Sequence, residues 1–169
     1  MKDTLIDTSC RPIGFIRRKR TIREAWPSGM TTVIDYNEDI MRIPAIIEVK
    51  PEYCDAAKGI TPGTLLWIIW YAHKSKGGRE SPLTVHPYKD QTLPEMGVFA
   101  TRSPYRPCPL CLTLVMVKRV SKCSIEVYGL DAFDGTPVFD IKIYSEGLDS
   151  PREVLKRAKI DADDSESTR

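Results

Sequence analysis

At 169 residues, with 41% hydrophobic and 28% charged side chains, the chain is long enough for one globular core and too short to promise two. Lys and Arg total 25 against 23 Asp and Glu, a formal charge of +2. That excludes a molecule-wide field that would gather nucleic acid, so any such affinity has to come from local patches.

Thirteen prolines and ten glycines punctuate the chain, and the stretches between them are rich in Val, Ile, Thr and aromatics, which predicts a mainly β body closed as an antiparallel barrel or packed as a sandwich. In chain order, strands are predicted at Pro12–Arg17, Thr31–Asp35, Ala45–Val49, Leu65–Tyr71, Leu83–His86, Gly97–Thr101, Leu112–Val120, Ser124–Tyr128 and Val138–Ile143. The polar turn at Ser121-Lys122 makes a hairpin of the Leu112–Val120 and Ser124–Tyr128 pair. A short helix is predicted over Pro51–Lys58, with Pro51 in the first turn and Gly59 as its stop. A second starts at Ser150 as N-cap, with Pro151 first and Glu153 completing a capping box. Asp161–Arg169 reads as a frayed polar tail. The expected organisation is an N-terminal extension over 1–10, a barrel domain over 11–145, and a C-terminal helix and tail over 146–169.

Met1–Cys10 has no apolar stretch of signal-peptide length, and the most apolar run, Leu65–Ala72, is far short of the roughly 20 residues of a membrane helix. A cytoplasmic protein is therefore expected. The odd count of five cysteines, Cys10, Cys54, Cys108, Cys111 and Cys123, points the same way, to a reducing compartment rather than a disulfide framework. Cys108-Pro-Leu-Cys111 has three readings. A metal site would need further ligands from Cys10, Cys54, Cys123, His73, His86 or a second subunit. A redox dithiol would lack its usual βαβ setting, and the third reading is two small side chains packed under a loop. Arg17-Arg18-Lys19-Arg20, with Arg23, is either a phosphate-binding patch or a solvated surface run.

Two blocks carry more. Gly97-Val-Phe-Ala-Thr-Arg-Ser-Pro-Tyr-Arg-Pro107 and Gly129-Leu-Asp-Ala-Phe-Asp-Gly-Thr-Pro-Val-Phe-Asp-Ile-Lys-Ile-Tyr144 closely resemble the signature blocks of the TrmO/TsaA-like family. Pro12–Arg17, Pro51–Tyr53, Leu66-Trp67 leading to His73–Ser75, and His86-Pro87 to Asp90 support the match, which covers about residues 11 to 145. The resemblance implies an antiparallel β-barrel methyltransferase that works as a homodimer. It further implies transfer of a methyl group from S-adenosylmethionine to the carbamoyl-linked nitrogen of threonylcarbamoyl-adenosine beside the tRNA anticodon. Positions matching the family's cofactor residues are His73, Lys74, Arg102, Leu112, Phe133, Asp134, Gly135 and Thr136, with Tyr105 and Arg106 set towards substrate.

The residue types suit that chemistry. A sulfonium nucleotide carrying a carboxylate needs a cation, hydrogen-bonding backbone and apolar walls; Arg102 supplies the first, and a turn such as Asp134-Gly135-Thr136 the second. Methyl transfer is a displacement governed mainly by alignment. For a carbamoyl nitrogen some proton removal helps, and His73 or Asp134 could take the proton.

The chain also departs from the family. Members continue the arginine-proline block as Asn-Pro-Ile-Gly-Leu where this chain reads Cys108-Pro109-Leu110-Cys111-Leu112, and glycine alone reaches positive φ cheaply. A Pro-Arg-Gln element is replaced near Glu24–Gly29, making Trp26–Gly29 a candidate substitute, and Thr64-Leu65-Leu66 replaces Ser-His-Leu. Two alternatives therefore stand beside tRNA: a small-molecule or cofactor acceptor, and a non-enzymatic ligand- or metal-binding module using Cys108 and Cys111.

Overall fold

A computed structural model describes residues 10–18, 42–75, 77–78, 80–87 and 90–158. Eight strands are found among them: β1 (Gly14–Arg17), β2 (Ala45–Val49), β3 (Leu65–Tyr71), β4 (Thr84–Val85), β5 (Met96–Gly97), β6 (Leu110–Ser121), β7 (Ser124–Tyr128) and β8 (Pro137–Ile143). Six close into a barrel in the order β1-β2-β7-β6-β3-β8, every pair antiparallel. The expected closed antiparallel barrel is what forms.

The period-2 alternation explains the closure. Ile16 on β1, Ala45, Ile47 and Val49 on β2, Leu66, Ile68 and Trp70 on β3, Val115 and Val117 on β6, Ile125 and Val127 on β7, and Val138 on β8 all point inward and are buried. Each of the larger aliphatic side chains contributes roughly 1.5–3 kcal/mol when taken fully out of water. The β6–β7 hairpin turns through Lys122, which adopts a left-handed φ of 47°.

The register fixes two ends. At one lie Tyr71 opposite Leu110, the start of β8 and the end of β1. At the other lie Gly14 opposite Val49 and the Ser121–Ser124 turn. The outer face of β3 and β6 is unusual: Leu65–Met116, Trp67–Leu114, Ile69–Leu112 and Tyr71–Leu110 form four directly opposed apolar pairs. Leu65, Leu110, Leu112 and Met116 are 39–45% exposed.

Several expectations need correction. Gly97–Thr101 is not a strand: after two residues paired to β4, Val98–Ala100 winds into a 3-10 turn that buries Val98 and leaves Phe99 86% exposed. Leu83–His86 shortens to Thr84–Val85. Pro51–Ala57 is a 3-10 helix with no buried residue. β6 begins two residues earlier than predicted and so takes Cys111 into the strand. The C-terminal part holds a short helix, α1 (Glu146–Asp149), and α2 (Pro151–Ala158), which starts where Pro151 was expected to start it. The strand expected at Thr31–Asp35 lies outside the described residues.

The expectation that no cysteines pair is corrected as well. Cys54, in the 3-10 helix after β2, and Cys123, in the β6–β7 turn, form a disulfide with Cα atoms 4.7 Å apart. They meet because β2 pairs with β7, as the Val49 amide donating to the Cys123 carbonyl at 2.7 Å shows. Among the described residues no helix is long and apolar enough to cross a membrane.

Candidate functional site

The end of β3 is the hub of the site. Beyond Tyr71 the chain turns through Ala72–Ser75, with the Ala72 amide held by the Pro109 carbonyl at 2.9 Å. His73 and Lys74 then reach towards the β7–β8 connection. His73 Nδ1 lies 3.1 Å from the Thr136 hydroxyl, and the Lys74 ammonium sits 5.1 Å from the centroid of the Phe133 ring, within cation–π range. The following residues take hold of the Gly97–Pro107 block: the Ser75 hydroxyl donates to the Pro104 carbonyl at 2.9 Å, and the Gly78 amide to the Arg106 carbonyl at 3.1 Å. Both family-like blocks are therefore docked on one ten-residue stretch, Ala72–Ser81.

The turn itself is built by one left-handed glycine and a pair of backbone hydrogen bonds. Gly135 has φ of 77°, which costs a side chain about 1 kcal/mol. Its amide donates to the Ile16 carbonyl at 2.8 Å, while the Ile16 amide donates to the Thr136 carbonyl at 2.8 Å, so the turn is zipped to the end of β1. The Asp134 carboxylate accepts the Arg18 amide at 2.9 Å, and Thr136 is fully buried.

Arg102 extends along the open edge of β6. β7 pairs with β6 only from Met116 onward, and one Arg102 amino group donates to the Leu112 carbonyl on the uncovered stretch. Arg106 turns into its own loop, its guanidinium donating to the Val98 and Thr101 carbonyls, and its Nε is buried without a hydrogen-bond partner among the described residues. Tyr105 is half-buried beside it, its amide on the Ser103 hydroxyl.

Electrostatics separates the titratable groups. Burial first, and the neighbouring Lys74 ammonium second, hold His73 below the ordinary imidazole value, favouring the neutral ring. Burial pushes the Cys111 thiol up to about 11, with the Asp131 carboxylate adding to the effect. Cys111 lies opposite Trp70 on β3, whereas Cys108 is exposed. Among the described residues no cluster of three metal-ligating side chains forms.

Sequence reasoning missed two parts of this site. The Trp70 indole donates to the Thr113 hydroxyl at 3.0 Å, which donates to the Asp131 carboxylate at 2.8 Å, tying the β7–β8 connection across the barrel mouth. Arg18, read as part of a basic run, is turned inward: its Nε donates to the Ala132 carbonyl at 2.7 Å and an amino group to that of Leu130. Arg17 pairs with Glu48 at 2.7 Å. Arg18 is therefore not the freely solvated cation a phosphate patch needs, whereas Arg17 stays exposed in its surface pair. Lys19, Arg20, Arg23 and Trp26–Gly29 lie outside the described residues.

Comparison with known proteins adds the family. A probable S-adenosyl-L-methionine-binding protein of Methanocaldococcus jannaschii is 33% identical over 121 residues, 71% of this chain and 93% of that one. The human tRNA (adenine(37)-N6)-methyltransferase is 31% identical over 145 residues, 86% of this chain but 32% of the relative. A crystal structure of TrmO superposes with a TM-score of 0.63 at 26% identity, covering 86% of this chain and 61% of that one. Residues 37–150 match the model of the tRNA-methyltransferase O N-terminal domain, and the chain belongs to that family.

Proposed function

We propose that this chain binds S-adenosylmethionine between the Arg102 segment and the Phe133–Thr136 turn, and directs its methyl group to the carbamoyl-linked nitrogen of threonylcarbamoyl-adenosine beside a tRNA anticodon. The observation that carries the reading is the joint docking of both segments on Ala72–Ser81. The names of the relatives, one for S-adenosylmethionine binding and one for tRNA adenine methylation, support it.

The residues present fit such a ligand. Arg102 spends one amino group on Leu112, and a guanidinium has five donors in all, enough to hold a carboxylate as well. Gly135 would admit no clash even with a Cβ, which meets nothing within 4 Å, so the turn leaves room for close approach. Lys74 and Phe133 form a flat, partly apolar wall. When bound, the sulfonium supplies an electrophilic methyl group. The chain's own contribution is alignment and the handling of one proton: in the neutral tautomer that carries its proton on Nδ1, His73 donates to the Thr136 hydroxyl and Nε2 presents a lone pair to a departing N–H proton. Asp134, engaged by the Arg18 amide, is the other acceptor for that proton.

A homodimer belongs to the same reading. The four opposed apolar pairs on β3 and β6 support it, because a contiguous apolar face bordered by charge is the anatomy of an interface. Here the borders are Asp140 and Lys142 on β8, and Lys118 and Glu126 on the β6–β7 side.

Calorimetry with S-adenosylmethionine tests the site: wild type binds and Arg102→Ala does not, whereas equal affinity removes the assignment. A methylation assay with tRNA carrying threonylcarbamoyl-adenosine tests the acceptor. The second reading, a small-molecule acceptor, is favoured by the engagement of the Arg18 guanidinium within the protein; it predicts cofactor binding with no tRNA methylation.

A further inference from the structure

We infer that Arg18 is the positioning residue of the site: its guanidinium, inserted under the β7–β8 connection, sets the shape of the Leu130–Thr136 turn against which the ligand lies. The inference rests on the ligand reading above and gives the Arg18 guanidinium a role that the reading does not assign it.

The geometry is that of a clamp. The Arg18 amide donates to the Asp134 carboxylate at 2.9 Å, Nε to the Ala132 carbonyl at 2.7 Å, and an amino group to the Leu130 carbonyl. One residue thus grips three positions of a connection that runs without strand or helix from Leu130 to Thr136. Leu130 and Ala132 are fully buried, so their carbonyls are out of reach of bulk water and need internal donors. The planar fork of a guanidinium serves two carbonyls at once, which an ammonium on a flexible stem does not.

The charge is held there at a cost. Burial lowers the Arg18 pKa to about 10, against the opposing pull of Asp131 and Asp134, and Nη1 is buried with no hydrogen-bond partner among the described residues. A partly buried cation with a leftover donor does little for stability alone. Its effect is on conformation: the same turn carries Asp134 and Gly135, and ends at Thr136, the partner of His73. Through these contacts Arg18 acts on His73 and on the ligand without touching either.

Hydrogen exchange and calorimetry on the full chain test this together. In Arg18→Ala the amides of Asp131–Thr136 exchange faster while those of β2 and β7 do not, and S-adenosylmethionine binds about tenfold more weakly, the scale of one lost charge-assisted hydrogen bond. Added guanidinium ion restores the affinity of Arg18→Ala, since it fits the vacated slot, and does nothing for Arg102→Ala. Should Arg18→Ala fail to fold, Arg18→Lys, which keeps the charge and loses the fork, gives the same comparison and shows the same faster exchange. A folded variant with unchanged exchange across Asp131–Thr136, or a loss of affinity that guanidinium does not repair, overturns the inference. If the wild type binds no S-adenosylmethionine, the ligand reading falls, and the exchange data still decide whether Arg18 sets the turn.

Discussion

The His73 ring and the Thr136 hydroxyl meet at 3.1 Å across 63 residues of sequence, joining the end of β3 to the turn before β8. Because burial and Lys74 hold His73 below its ordinary value, the unfolded chain takes up the proton first as pH falls. The stability that the neutral ring contributes is therefore complete above the unfolded value of about 6.5 and is lost as pH falls from there through the lower folded value. Thermal midpoints recorded from about pH 8 to about pH 5 should show a fall in the wild type that is smaller in His73→Gln. Equal slopes would mean that the ring is not held neutral.

Gly77 and Gly97 should respond oppositely to alanine. A Cβ at Gly77 would sit 2.7 Å from the Pro104 carbonyl oxygen, where backbone cannot yield cheaply, and one at Gly97 would meet nothing within 4 Å. Gly77→Ala is expected to loosen the Gly97–Pro107 block and weaken S-adenosylmethionine binding, with Gly97→Ala near wild type. Calorimetry on the two variants checks this, and matching affinities would separate the block from the site.

The disulfide should act on stability alone. Cys54 and Cys123 are 69 residues apart, and closing a loop of that size stabilises by about 4 kcal/mol in the chain-entropy account. A dithiol reductant, or Cys54→Ser with Cys123→Ser, should lower the thermal midpoint by roughly 10 °C, while affinity for S-adenosylmethionine below the transition stays constant.

Alkylation should distinguish the other cysteine pair. Cys108 is exposed and Cys111 is half-buried with its thiol pushed up to about 11, so at neutral pH the Cys111 thiolate is scarce. Iodoacetamide followed by peptide mass spectrometry should find Cys108 modified first and Cys111 only on unfolding. Equal rates would contradict the burial.

Charge placed on the apolar outer face should separate copies. Met116, 45% exposed and opposite Leu65, becomes an unpaired buried charge in Met116→Glu if two such faces meet. Sedimentation velocity should find a dimer for the wild type and a monomer with an unchanged thermal midpoint for the variant. A wild type that sediments as a monomer would exclude pairing through this face.

Much of the barrel was legible because local and global signals agree. Ala45–Val49, Leu65–Tyr71 and Ser124–Tyr128 have the bounds predicted from composition and spacing, since alternating side chains leave one solution for which face goes inward. Val98–Ala100 misled because its apolar residues serve a single buried position, Val98, rather than a strand face. Arg18 was unreadable for a different reason: within a charge run nothing local says which cation turns inward, and its partners lie 112–116 residues away. The Cys54–Cys123 bond is likewise a product of barrel closure, which brings β2 beside β7, and no spacing rule encodes it. The proposed site residues His73, Lys74, Phe133 and Thr136 were reached through resemblance, and their mutual contacts came from the folded chain.

The covalent bond between Cys54 and Cys123 sits at the pole of the barrel opposite His73, Arg102 and Gly135. Hardening and the proposed ligand site thus occupy separate hemispheres of one small molecule. A lineage could gain or shed the crosslink as its surroundings grew hotter or more reducing, with no need to retune the pole where a ligand would dock.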